Sequence, residues 1–287
     1  DRWLYNNIAR IDYVREFGKD FSYNFGFKNW KQTPAGVISY LKPSGTGFTN
    51  VQDITTSELS AELTWSPHRQ FYQGKRFRTP IINKFPIFRF RYIAGIKGLA
   101  KGEYNYHNIN VKMDKRFFLS QLGYADVVLE GGYVFGKIPY PLMIVHRANQ
   151  TYSYQLNSYN LMNFLEFVSD HFAAATVDQH FNGFFFNKIP LFKKLKLREV
   201  ISGKVLYGAV RDENNPDVNT STIKFPVDKE TNSPTTYTLN KTPYIEVSAG
   251  IMNIFKVLRV DFVKRLTYLN HPEVTAGGFR TRIKWDF

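Results

Sequence analysis

Residues 277–287 read G-G-F-R-T-R-I-K-W-D-F. In an extended strand successive side chains point to opposite faces. Phe279, Thr281, Ile283, Trp285 and Phe287 therefore share one face, and Gly278, Arg280, Arg282, Lys284 and Asp286 the other. No soluble core asks for a strand that is greasy on one side and charged on the other. A closed transmembrane barrel does, because it pairs every backbone group while setting one face against lipid and the other against a polar lumen. Phe279, Ile283, Trp285 and Phe287 are thus read as the lipid face of a membrane-targeting strand, and Arg280 and Arg282 as lumen residues.

The pattern repeats upstream. Phe21, Tyr23, Phe25 and Phe27 alternate with Ser22, Asn24, Gly26 and Lys28, and Leu59, Ala61, Leu63 and Trp65 with Glu58, Ser60, Glu62 and Thr64. Phe88, Phe90 and Tyr92 then alternate with Arg89 and Arg91. Further runs lie near 4–14, 108–116, 125–135, 173–182, 197–210, 245–251 and 258–262, so residues 1–287 read as eleven antiparallel strands in one all-β barrel domain. A complete outer-membrane barrel has an even number. The odd count predicts upstream strands, about 14 to 16 in all, and a periplasmic domain before them. Residues 1–13 show neither the basic nor the apolar region of a signal peptide, in keeping with a piece of a longer chain.

With Phe287 on the periplasmic side, 31–56, 98–103, 137–171, 211–242 and 269–275 face outward. The connections at 15–20, 66–86, 119–123, 187–196 and 253–256 face inward, and most of these are shorter, as such barrels prefer. The stretch 137–171 breaks the alternation with Pro139, Pro141, His146 and Arg147 and reads as one long inserted loop. The polar stretch 211–242, with Pro216, Pro226 and Pro234, reads as a long extracellular loop.

Composition agrees with a membrane strand protein. Aromatic residues make up 17% of the chain, the excess expected of interfacial girdles. Mean hydropathy is negative and no run of about 18 uncharged apolar residues occurs, which excludes transmembrane helices and leaves barrels untouched. A net charge of +14 raises nucleic acid as a partner, but the basic residues are scattered and mixed with Glu and Asp, so nucleic acid is set aside in favour of outer-membrane lipids. The absence of Cys decides nothing.

Asp170, His171, Asp178 and His180 form the one dense group of titratable side chains, with Asp178 and His180 on one strand face at i and i+2. Two readings stand: they satisfy one another in a polar lumen, or they act together on a substrate. No G-x-S-x-G, H-E-x-x-H or phosphate-binding glycine loop occurs, and neither catalysis, a metal nor a cofactor is expected. The lumen positions carry both signs, Glu58, Glu62, Asp126 and Glu130 beside Arg89, Arg91, Lys112, Arg280 and Arg282, which argues less for an ion-selective pore than for internal ion pairs.

Two segments, N-L-M-N-F-L-E-F-V-S-D-H-F at 160–172 and H-F-N-G-F-F-F-N-K-I-P-L-F-K-K-L-K-L-R-E-V at 180–200, resemble a Bacteroidota outer-membrane family. In that family a carboxypeptidase-regulatory-like domain precedes a domain of unknown function. A more distant similarity runs to the surface-antigen barrel superfamily of BamA, TamA and the two-partner secretion pores, where a long loop folds back into the lumen ahead of the last five strands. Ser169-Asp170-His171-Phe172 and Gln179-His180-Phe181 hold comparable places, but Phe164-Leu165-Glu166-Phe167 stands where that superfamily carries an Arg-Gly pair.

The resemblance implies a loop-to-wall ion pair of reversed sign, with Glu166 and Asp170 meeting Lys204 or other inward cations. A solvated surface loop is the alternative. For function it implies envelope biogenesis or transport, working with other outer-membrane or periplasmic proteins. The alternatives are a non-conducting scaffold barrel and an outer-membrane hydrolase using Asp178 and His180.

Overall fold

A computed structural model describes residues 2–36, 38–81, 84–227 and 233–283. Eleven strands form one sheet in strict sequence order, each antiparallel to the next. They are β1 (Arg2–Phe17), β2 (Phe21–Gly36), β3 (Ile54–Trp65), β4 (Ile87–Gly95), β5 (Tyr106–Phe118), β6 (Tyr124–Phe135), β7 (His171–His180), β8 (Arg198–Ala209), β9 (Tyr244–Ile254), β10 (Leu258–Arg265) and β11 (Gly277–Ile283). Among the described residues β1 and β11 pair with one sheet neighbour each, so the sheet is open. No helix among the described residues is long and apolar enough to cross a membrane, which leaves strands that cross untouched.

The alternation sets the faces. Leu63 and Phe279 are 50% and 66% exposed on the outer face, while Glu58, Lys204, Glu246 and Asp261 are buried on the inner one. A one-residue slip would exchange these sets, so the period-2 pattern also fixes the register. Outer-face rings continue from strand to strand: Trp65 stacks between Phe21 and Phe88, with centroids 6.0 and 5.6 Å away. Trp285 and Phe287 lie outside the described residues.

Several boundaries differ from the sequence reading. β2 extends through Gly36 and β3 starts at Ile54, and between them a hairpin pairs Tyr40–Ser44 with Gly47–Val51, where only a loop was expected over 31–56. The Pro and Gly content hid a hairpin whose turn needs Gly45 at positive φ. β10 runs three residues beyond the expected 258–262, to Arg265.

The segment between β6 and β7 is folded back over the inner face. Ile138, Tyr140, Leu142 and Met143 from it join Ile38, Tyr40, Ile54, Tyr106 and Val134 in one apolar cluster. Farther along, Tyr159, Met162 and Phe167 pack on Leu206 and Tyr244 of the wall. A three-stranded sheet, Ile144–Val145, Phe167–Ser169 and Tyr237–Thr238, stitches this loop to the 211–242 loop, whose Ile223 and Phe225 are buried in the first cluster. Both loops are ordered by apolar burial rather than left in solvent.

Candidate functional site

The inner-face side chains of β7 to β11 meet the folded-back loop in three tiers. The first lies at the long-loop end. Arg265, fully buried where β10 stops, donates two hydrogen bonds to Glu166, at 2.9 and 2.6 Å, in a bidentate pair. Its remaining donors go to the carbonyls of Leu161, Thr267 and Tyr268, at 3.3, 2.9 and 2.8 Å. Glu166 also meets His271 at 2.9 Å and accepts the backbone N–H of Asn163 at 2.9 Å. Burial by itself raises the Glu166 carboxyl, but His271, Arg265 and Asn163 together hold it below its ordinary value.

The second tier is one row of cross-strand partners. Lys204 on β8 faces Glu246 on β9, and Glu246 faces Arg265 on β10. Glu246 accepts the backbone N–H groups of Asn160 and Leu161, at 2.8 and 2.7 Å, and the Tyr244 hydroxyl at 2.6 Å. Lys204 donates to the carbonyls of Gln155 and Ser158, at 2.7 and 2.5 Å, and Arg280 on β11 to that of Asn160 at 2.9 Å. The wall thus holds residues 155–161 chiefly by their backbone, and the buried Asn160 side chain ties the same segment to itself through Gln155.

Deeper still, Arg259 bridges two carboxylates. It donates to Asp178 at 2.9 and 3.0 Å and to Asp261 at 2.6 and 2.9 Å. Asp178 also meets Ser202 and, at 2.9 Å, His180 Nε2. The Arg259 guanidinium sits 4.3 Å from the ring centre of Tyr154, a loop residue that covers the cluster. Gly250 makes room for it, because a Cβ there would stand 2.5 Å from Asp261 Oδ1.

The loop also reaches the free edge of β11. Thr281 donates its backbone N–H to the Tyr152 carbonyl at 2.9 Å, and Tyr154 donates to the Thr281 carbonyl at 2.7 Å, a short parallel bridge on the side away from β10.

The expected pairing of Glu166 with Lys204 does not form. Lys204 stands in the same row as Arg265 but two strands away, on β8, and the segment that reaches it is 155–158, whose carbonyls satisfy its ammonium. Asp170 does not meet Lys204 either. It takes Arg211 Nε at 3.0 Å, Asn214 at 2.9 Å and His171 at 2.6 Å, and these partners hold its carboxyl down against the upward push of burial. Asp178 and His180 are together, as their spacing suggests, but inside the Arg259 network. Arg282 lies opposite Arg259 in register.

The sequence reading missed Arg259, Asp261, Arg265 and Glu246. Their signal was present: Glu246, Arg259 and Asp261 fall on the inner face of the expected strands 245–251 and 258–262, and Val263 and Arg265 continue the alternation beyond the second. Among the described residues no group of three or more His, Cys, Asp or Glu side chains is placed to hold a metal ion.

The chain is thus all-β, one large antiparallel sheet in sequence order whose inner face is covered by a long loop with five strands after it. It is similar to the crystal structure of BamA from Haemophilus ducreyi lacking POTRA domains 1–3, with a TM-score of 0.53 at 10% sequence identity over 98% of this chain and 54% of that one. The chain therefore spans about half the length of that structure, and at this identity the likeness concerns the fold. No curated protein matches the sequence. Residues 16–214 match the C-terminal domain of a family of unknown function, DUF5686, and the chain belongs to that family.

Proposed function

We propose that the chain is the membrane part of an outer-membrane β-barrel that serves envelope biogenesis, in transport or assembly of outer-membrane components, and that it works with other envelope proteins rather than as an enzyme. The observation that carries this reading is the clamp: a long loop tied by backbone and side chain to the inner wall of β8 to β11 and bridged to the outer edge of β11. A loop bonded to both wall and edge couples the state of the lumen to the state of the strand edge, the coupling an assembly barrel needs. Asp178 and His180 serve the wall in this reading, because the Asp178 carboxylate is already engaged by Arg259, Ser202 and His180.

The scaffold reading is favoured by a different observation. The inner face of β7 to β10 is covered by the loop, and the clamp leaves both signs of charge paired there. The two part on one experiment. The full-length protein is depleted from its host and the outer membrane is fractionated and quantified protein by protein. Loss of a defined set of outer-membrane proteins, restored by the wild-type gene and not by Arg265→Leu at equal abundance, is expected. An unchanged set would sink the biogenesis reading and leave the scaffold. Recovery of the protein outside the outer-membrane fraction would sink both.

A further inference from the structure

The connection between β7 and β8 is too elaborate for a turn. The equivalent connections on either side span only 119–123 and 255–257, whereas here residues 181–197 build a hook that contains a short helix, α1 (Pro190–Lys194). Its backbone is internally bonded, from Asn187 N–H to the Gly183 carbonyl at 2.9 Å through to Leu197 N–H and the Phe192 carbonyl at 3.1 Å. Phe186 packs edge-on against Phe192, and Glu199 of β8 accepts the Phe185 N–H at 2.6 Å. The neighbouring turns brace it: Asn253 donates to the Lys196 carbonyl at 2.7 Å, and Gln179, at the hook's base, to that of Leu122 at 2.6 Å.

This rigid hook exposes Phe185, Ile189, Leu191 and Leu195, each between 44% and 60% accessible, among Lys188, Lys193, Lys194 and Lys196. It carries no Asp or Glu. Nor does the other large connection at the same end, 66–86, which holds Arg69, Lys75, Arg76, Arg78 and Lys84. At the opposite end the long loops mix Arg211 and Lys224 with Asp212, Glu213 and Asp217. These two connections thus bring nine Lys and Arg and no Asp or Glu to one end, beside exposed apolar side chains.

We infer that residues 181–197 are an interfacial anchor for anionic phospholipid headgroups at the turn end of the barrel, an inference that rests on the membrane reading above. Apolar side chains that enter the headgroup boundary and lysines that meet phosphates form the usual combination for lying on a bilayer. With the long loops outward, the turn end faces the periplasmic leaflet, so the occupant is a phospholipid. The internal bonding means that little ordering is left to do on binding.

The test places the full-length protein in nanodiscs of phosphatidylcholine alone and of phosphatidylcholine with a quarter phosphatidylglycerol, and follows thermal unfolding. Wild type is expected to unfold several degrees higher in the anionic bilayer at low salt, with the gain shrinking as salt screens it. Lys→Gln at 188, 193, 194 and 196 is expected to abolish the gain. The same change at Lys97, Lys101, Lys137 and Lys241, at the long-loop end, is expected to keep it. Equal midpoints for wild type in both bilayers, or a gain that survives the hook variant, overturns the anchor and points to a periplasmic protein on this surface. Failure to enter either bilayer overturns the membrane reading itself.

Discussion

The inner face behaves differently at its two ends. On β3 to β5 two ion pairs are wet: Arg91 and Glu62 stand 3.9 Å apart with over a third of each side chain exposed, and Arg89 and Asp114 are similarly accessible. A cavity of about 360 Å³ remains there between Trp30, Tyr106 and Glu58 on the wall and Tyr140 and Phe164 on the loop. On β7 to β10 the same alternation delivers dry pairs, Arg265 with Glu166 and Arg259 with Asp178 and Asp261, all nearly inaccessible. Identical residue chemistry therefore carries different energetic weight, and what separates the two regions is where the loop lies. An exposed pair contributes about 0 to 1 kcal/mol, whereas removing one partner of a buried pair costs about 3 to 5 kcal/mol.

The largest break in this contrast comes from Arg265→Leu. It leaves Glu166 buried without its bidentate partner, and a loss of about 3 to 5 kcal/mol is expected in denaturant unfolding. Adding Glu166→Leu should return much of it, because the double variant holds no stranded charge. Wild-type stability in the single variant would mean that the loop leaves the wall without cost.

Acid should weaken the dry region next. Burial beside Arg147 pushes His146, bonded to Ser169, down to about 3 from its ordinary 6.5. A depressed folded value means that the unfolded chain takes up the proton first. This stability is therefore complete above pH 6.5 and fades by up to about tenfold per pH unit as pH falls toward 3. Glu166 and Asp170, also depressed, add their own loss only below the ordinary carboxylate range, as pH falls through their folded values. Unfolding midpoints taken from pH 8 to 3 should show a shallow decline and then a steep one, and His146→Asn should remove the shallow part alone.

Gly250→Ala is expected to cost about 1 to 3 kcal/mol, because its new methyl collides with the Asp261 carboxylate that Arg259 holds. The smallest effect belongs to the wet end, where Arg91→Ala should change unfolding by no more than about 1 kcal/mol. A cost at Arg91 equal to that at Arg265 would erase the distinction between the two regions.

Much of this was legible in the chain. Period-2 alternation located all eleven strands and assigned Glu58, Lys204, Asp178, Arg280 and Phe279 to their faces, since side-chain direction in a strand is a local property. Ends were less legible where Pro and Gly occur inside real pairing, as at Thr33-Pro34-Ala35-Gly36 in β2. That Glu166 would be tied to the wall could be guessed from its place in the loop, but its partner could not.

The sequence by itself determined which residues face inward and that those residues carry both signs. Only the tertiary structure decided which charges meet. Glu166 and Arg265 lie 99 positions apart, and their encounter depends on the path of a folded-back loop that has no periodicity of its own. That path follows from apolar burial of Tyr140, Leu142, Tyr159 and Phe167 and from the wall's hold on loop backbone groups. Such contacts are cooperative and long-range, and no window of the chain contains both partners.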